Sequence, residues 1–150
     1  MGSSEFEEAY DDDDSRRAEE QRKLGEAILE SPVRGLKPKP AVSIDENASI
    51  GDAVQLMIDR HLGALLVTRE GGPTVGIFTE RDVLRRVARS GIDTSRPVRD
   101  VMTPDPEMLS PDDGIAYALN RMVVQGFRHV PVRAAASGEA GMLSVRDVVG

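Results

Sequence analysis

An α+β fold made of two tandem β-α-β-β-α repeats is what this sequence predicts, and three observations predict it. Displaced by 65 positions and laid on itself without a gap, the chain pairs residues 31–85 with 96–150. The identities include Pro32/Pro97, Val33/Val98, Ile50/Ile115, Ala53/Ala118, Met57/Met122, Val67/Val132, Gly76/Gly141, Arg81/Arg146 and Asp82/Asp147. Each copy reads as strand, helix, strand, strand, helix, and each carries Gly, two apolar residues, Ser or Thr, two arbitrary residues and Asp. Units of this size bury too little apolar surface to be stable alone, so the two are expected to pack about a pseudo-twofold axis, with function at their seam.

Composition narrows the function classes. The 150 residues leave room for one compact body and not for a multidomain enzyme. The absence of Cys excludes disulfides, Cys-ligated zinc, Fe–S clusters and a thiol nucleophile. No apolar run approaches the ~20 residues of a membrane span, and the opening Met1 to Phe6 lacks the features of a signal peptide, so a soluble, cytoplasmic protein is expected. The net charge of −7 is concentrated in residues 1–30, which hold 11 acids and 4 bases, while the remainder holds 15 of each. A neutral body with an acidic leader offers no electrostatic footprint to nucleic acid or an anionic membrane.

Three segments follow: a leader over 1–30, a first repeat over 31–90 and a second over 91–150. Residues 1–15, with four aspartates at 11–14, are expected to be disordered, whereas Arg16 to Glu30 consists of helix formers with Leu24, Ala27 and Ile28 on one stripe. Ala41 to Ile44 reads as a short strand. Ile50, Ala53, Val54, Met57 and Ile58 fall at helical spacing, and His61-Leu62-Gly63 ends that helix. Ala64 to Thr68 and Thr74 to Phe78 are strands around Glu70-Gly71-Gly72-Pro73, and Thr79 opens a second helix running past Val87. In the second repeat Ile115, Ala118, Leu119, Met122 and Val123 form the stripe, and Val130 to Arg133 and Ala140 to Leu143 are the strands. Only Val148, Val149 and Gly150 follow Asp147, so its helix is expected to be short and the leader helix to cover the apolar groove that further turns would cover.

The chemistry lies in Gly76-Ile77-Phe78-Thr79-Glu80-Arg81-Asp82 and Gly141-Met142-Leu143-Ser144-Val145-Arg146-Asp147. Both mark a strand running straight into a helix whose start carries a hydroxyl and, three residues on, a carboxylate. The pattern reads two ways. Thr-x-x-Asp and Ser-x-x-Asp resemble a capping box, which stabilises a helix by ~1 kcal/mol. A helix start with a free hydroxyl also suits a phosphate, and the glycine upstream lets a planar ligand or a partner backbone approach the strand.

These stretches, with Val98-Arg99-Asp100-Val101-Met102-Thr103 and Gly126-Phe127-Arg128-His129-Val130-Pro131-Val132, resemble a pair of cystathionine-β-synthase (CBS) domains, a Bateman module, over roughly residues 31–150. The resemblance implies two clefts that bind adenosine compounds such as AMP, ADP, ATP or S-adenosylmethionine, and homodimers of disc-like shape. It makes Asp82 and Asp147 acceptors for ribose hydroxyls and Thr79 and Ser144 phosphate contacts. Arg128 and His129 are implied to reach the phosphate of the Asp147 cleft, and Thr103 to stand beside the Asp82 cleft. Gly63 and Ala64 replace the basic pair in the first repeat, and Pro38 stands where the second cleft would have its Thr, so the Asp147 cleft is expected to take the charged nucleotide.

His61 and His129 have no partner at metal-ligand spacing, so no metal site is expected. If His129 donates as an imidazolium, nucleotide affinity should fall between about pH 6 and 8. Arg85, Arg86 and Arg89 read as a solvated basic face, and the methionines as core and interface filler. No nucleophile and base converge, and the Gly-x-x-x-x-Gly-Lys loop is absent, so no enzyme is expected. The reading is a regulatory module that senses adenine nucleotide and signals to an effector protein. Its rival is a structural dimerisation module with degenerate clefts.

Overall fold

The computed structural model describes residues 2–134 and 139–149. Helix α1 spans Gly2–Glu30 and is followed by strands β1 (Lys39–Pro40) and β2 (Ser43–Asp45), helix α2 (Ile50–Arg60), and strands β3 (Ala64–Thr68) and β4 (Thr74–Thr79). Helix α3 (Glu80–Asp82) continues as a π-helix over Val83–Ala88, and after it come β5 (Thr103–Pro104), α4 (Ile115–Gln125), β6 (His129–Val132), β7 (Gly141–Ser144) and α5 (Val145–Val149). The α+β repeat architecture is thus present, and α2 and α4 occupy positions separated by the same 65-residue shift that relates the sequences.

The strands form two sheets, ordered β2-β3-β4-β5 and β1-β7-β6, and each takes an edge strand from the other repeat. β5, from the start of the second repeat, pairs antiparallel with β4, placing Ile77 opposite Thr103, while β1 pairs antiparallel with β7, placing Lys39 opposite Met142. Leu109 lies parallel beside Val132 as Ile44 lies beside Val67. The strand expected over Ala41 to Ile44 is found only from Ser43, as β2 in the first sheet, and the preceding β1, outside the expected range, belongs to the second sheet.

The same exchange runs through the core. One apolar cluster joins Ile50, Ala53, Met57, Leu65, Val67 and Phe78 to Val98 and Val101, and the other joins Leu109, Ile115, Ala118, Met122, Val130, Val132 and Leu143 to Val33. Val98 and Val33 are wholly buried in the core of the opposite unit. The crossings are pinned by backbone bonds, from Ile50 N–H to Arg96 O at 2.9 Å and from Ile115 N–H to Ser31 O at 2.9 Å. Ser49 caps α2 by accepting from Asp52 N–H at 3.0 Å, and Gly126 ends α4 with a positive φ of 70° that suits glycine. His61 takes the corresponding left-handed position in the first repeat.

Two expectations about α1 are corrected. The helix runs unbroken from Gly2, so the acidic run at 11–14 is helical, with Asp13 paired to Arg17 one turn on at 3.3 Å. α1 does lie beside α4, but it adds nothing to the second core: Leu24, Ile28 and Leu29 stay exposed, and no α1 residue joins that cluster. The stripes of α2 and α4 are also narrower than their apolar pattern, since the equivalent residues Ile58 and Val123 are exposed.

Candidate functional site

The seven expected site residues divide into two groups with different surroundings. Thr79, Asp82 and Thr103 bond to one another. Thr79 caps α3, its Oγ1 accepting from Asp82 N–H at 3.3 Å, while Asp82 Oδ2 accepts from Thr79 N–H at 2.9 Å and Thr79 Oγ1 at 3.1 Å. Asp82 Oδ1 accepts from Thr103 Oγ1 at 3.1 Å and lies 3.7 Å from Arg86 Nε. Asp82 is buried, and the space beside it, edged by Glu107, Gln125 and Phe127, amounts to about 30 Å³. This is too little room for a nucleotide.

Arg128, His129, Ser144 and Asp147 line a different and open cleft of about 310 Å³. Its far wall comes from the first repeat: Lys39, Pro40, Ala41 and Val42 from the crossing segment, and His61 to Ala64 from the end of α2 and the start of β3. Asp147 Oδ2 accepts from Ser144 N–H at 2.7 Å, which is half of a capping box. Among the described residues neither Asp147 Oδ1 nor Ser144 Oγ has a protein partner, and both residues line the cleft.

His129 lies where the cavities meet and borders all of them. Its ring is packed on Gly63, where an added Cβ would stand 2.6 Å from Cε1 and 2.7 Å from Nε2. The absent side chain at 63, which first reads as a loss from the Asp82 cleft, is what admits this imidazole. Burial pushes the His129 pKa below its ordinary 6.5, outweighing Glu80 and Asp147, which raise it, while Arg128 adds to the depression. The ring is therefore neutral near pH 7, and the window expected between pH 6 and 8 moves downward.

Both motif glycines meet protein. A Cβ at Gly76 would lie 2.3 Å from Met102 Sδ and 3.0 Å from Thr103 O, and one at Gly141 would lie 3.0 Å from Pro38 Cβ. Of the two readings of these glycines, the approach of a partner backbone describes both. Sequence reasoning missed three contacts. Arg81 Nη1 donates to Gly126 O at 2.7 Å, tying α3 to the end of α4. Arg86, read as part of a solvated face, donates to Met102 O at 2.7 Å as well as facing Asp82, and its i+4 spacing from that carboxylate was a usable signal. Glu107 accepts from Tyr117 Oη, Arg121 Nε and Gln125 Nε2 at 2.8–3.0 Å, and the Tyr117 bond leads in holding its carboxyl below the usual range.

Two exchanged-strand units closing around an inter-repeat cleft define the class, and comparison with known proteins names it. The CBS domain family matches residues 33–89 and 98–150, so the chain belongs to the CBS-domain family. An uncharacterized 17.7 kDa protein of Acidianus ambivalens is 33% identical over 105 residues, 70% of this chain and 63% of its own length. The chain thus spans less than two thirds of that relative, and 38% of the next, from Methanocaldococcus jannaschii. A CBS-domain containing protein from Agrobacterium tumefaciens superposes with a TM-score of 0.70 at 32% identity, covering 81% of this chain and 92% of the other. A CBS domain protein from Pyrobaculum aerophilum, solved in complex with AMP, superposes at 0.68 with 29% identity, covering 77% and 88%. Among the described residues no helix is long and apolar enough to cross a membrane.

Proposed function

We propose that this chain is a regulatory module that binds one adenine nucleotide in the Asp147 cleft. The carrying observation is the open cleft itself, about 310 Å³ bounded by both repeats and lined by Asp147, Ser144, Arg128 and His129, with Asp147 Oδ1 and Ser144 Oγ free of partners among the described residues. A carboxylate oxygen accepts ribose hydroxyls, a guanidinium pairs with phosphate, and the neutral imidazole still supplies one N–H. The AMP bound by the Pyrobaculum relative supports an adenosine ligand. A ligand touching both repeats favours the relative arrangement that fits it and so biases whatever effector protein reads that arrangement. The role is that of a cytoplasmic sensor rather than a catalyst. Asp82 does not take part in binding; it latches the repeats through Thr103 and Arg86.

A second reading, a structural dimerisation module, is favoured by the small space left beside Asp82 and by the exposed apolar residues Ile58 on α2 and Val123 and Val124 on α4, which a second copy would cover. Calorimetric titration of the full chain with AMP, ADP, ATP and S-adenosylmethionine separates the two. One adenosine ligand per chain is expected, with binding lost in Asp147→Ala. Absence of heat with all four leaves only the structural role.

A further inference from the structure

Beyond His129 and Gly63 the Asp147 cleft adjoins a second chamber of about 380 Å³, and the two share Gly63, Glu80, Arg128 and His129 as common wall. The rest of the chamber is formed by Thr79 at the end of β4, by Arg81 and Arg85 on the first turns of α3 with its π-helical continuation and Leu84 between them, and by Gly126 and Phe127 at the end of α4. Three guanidiniums therefore face the chamber against the one carboxylate of Glu80, a local reversal of sign in a chain of net charge −7. Arg81 is held in place by its bond to Gly126 O, and among the described residues no carboxylate forms an ion pair with Arg85 or Arg128.

We propose that this chamber receives phosphates beyond the first, which makes the ligand a nucleoside di- or triphosphate and Arg81 and Arg85 specificity-determining residues. The inference rests on the reading of the Asp147 cleft as the adenosine site. With ribose on Asp147 and the first phosphate on the shared wall at Arg128 and His129, the chamber past that wall offers Arg85 and Arg81, while Lys39 and Arg146 lie on the adenosine side of it. Each further phosphate adds negative charge and acceptor oxygens that match a guanidinium's fork of donors. A monophosphate leaves Arg85 to water and Arg81 on Gly126 O alone. Because the arginines are exposed, the gain is modest and is screened by salt.

The test compares AMP, ADP and ATP by calorimetry on the full chain, at low and at raised ionic strength, with Arg85→Gln and Asp147→Ala alongside. ADP and ATP should bind about fivefold more tightly than AMP at low salt, and salt should narrow the gap. Arg85→Gln should bring ATP to the level of AMP while leaving AMP within about twofold, and an unchanged melting curve shows that the variant folds. Equal affinity for AMP and ATP, or equal weakening of both by Arg85→Gln, overturns the inference and leaves the adenosine cleft standing. No binding of any of the three, or binding indifferent to Asp147→Ala, overturns the cleft reading and this inference together.

Discussion

Asp82 and Asp147 hold the same place in two copies of one motif, and their neighbours set them to different work. Asp82 is buried, and both of its oxygens are satisfied by Thr79, Thr103 and Arg86. Asp147 is half-buried and accepts one backbone bond. Removing the first carboxylate undoes half of the capping box, leaves the Thr79 N–H and the hydroxyls of Thr79 and Thr103 without that acceptor, and takes the counter-charge from Arg86. Asp82→Ala should cost about 2 kcal/mol of unfolding free energy in urea titration, and Asp147→Ala about 1 kcal/mol or less. Equal losses would mean that the two carboxylates do the same structural work. The motif made both residues candidates from sequence, but the difference between them was not legible there. It depends on Thr103, which arrives from the crossing strand β5, and on Arg86, which had seemed a solvated charge.

At the scale of elements, the 65-residue shift located α2 and α4, because their caps and apolar spacing are local properties. The exchange of β1 and β5 between sheets was not legible, since a two-residue strand has no period of its own and its partner lies far along the chain. Gly76 and Gly141 mark where those strands cross, and they differ in tightness. A methyl group at Gly76 would meet the Met102 side chain and the Thr103 carbonyl, whereas at Gly141 it would meet Pro38 Cβ at 3.0 Å and Lys39 O at 3.4 Å. Gly76→Ala should therefore force β4 and β5 apart at a cost of about 2 kcal/mol, and Gly141→Ala should cost less. Chemical denaturation of the two variants checks the order, and a larger loss for Gly141→Ala would contradict the geometry.

For the whole molecule, His129 at the meeting point of the cavities makes stability depend on pH. Its folded pKa lies below the unfolded 6.5, so between these values the unfolded chain binds more protons than the folded one. Stability is thus full above about pH 6.5 and falls as pH drops through that value toward the folded pKa. His129→Gln should flatten this part of the profile of unfolding free energy against pH, and a wild-type profile level from pH 7 to 5.5 would count against the burial argument. Fold class and family were readable because duplication writes its signal twice, while cavity shape, which rests on side chains meeting from both repeats, was not. The traded edge strands carry one more consequence. Neither half of this chain is a separable part, since each lacks a border of its own sheet and one wholly buried valine. A gene encoding a single half would yield a stable protein only by lending that border to a twin molecule, so fusion of such twins into one polypeptide is a direct path to the architecture present now.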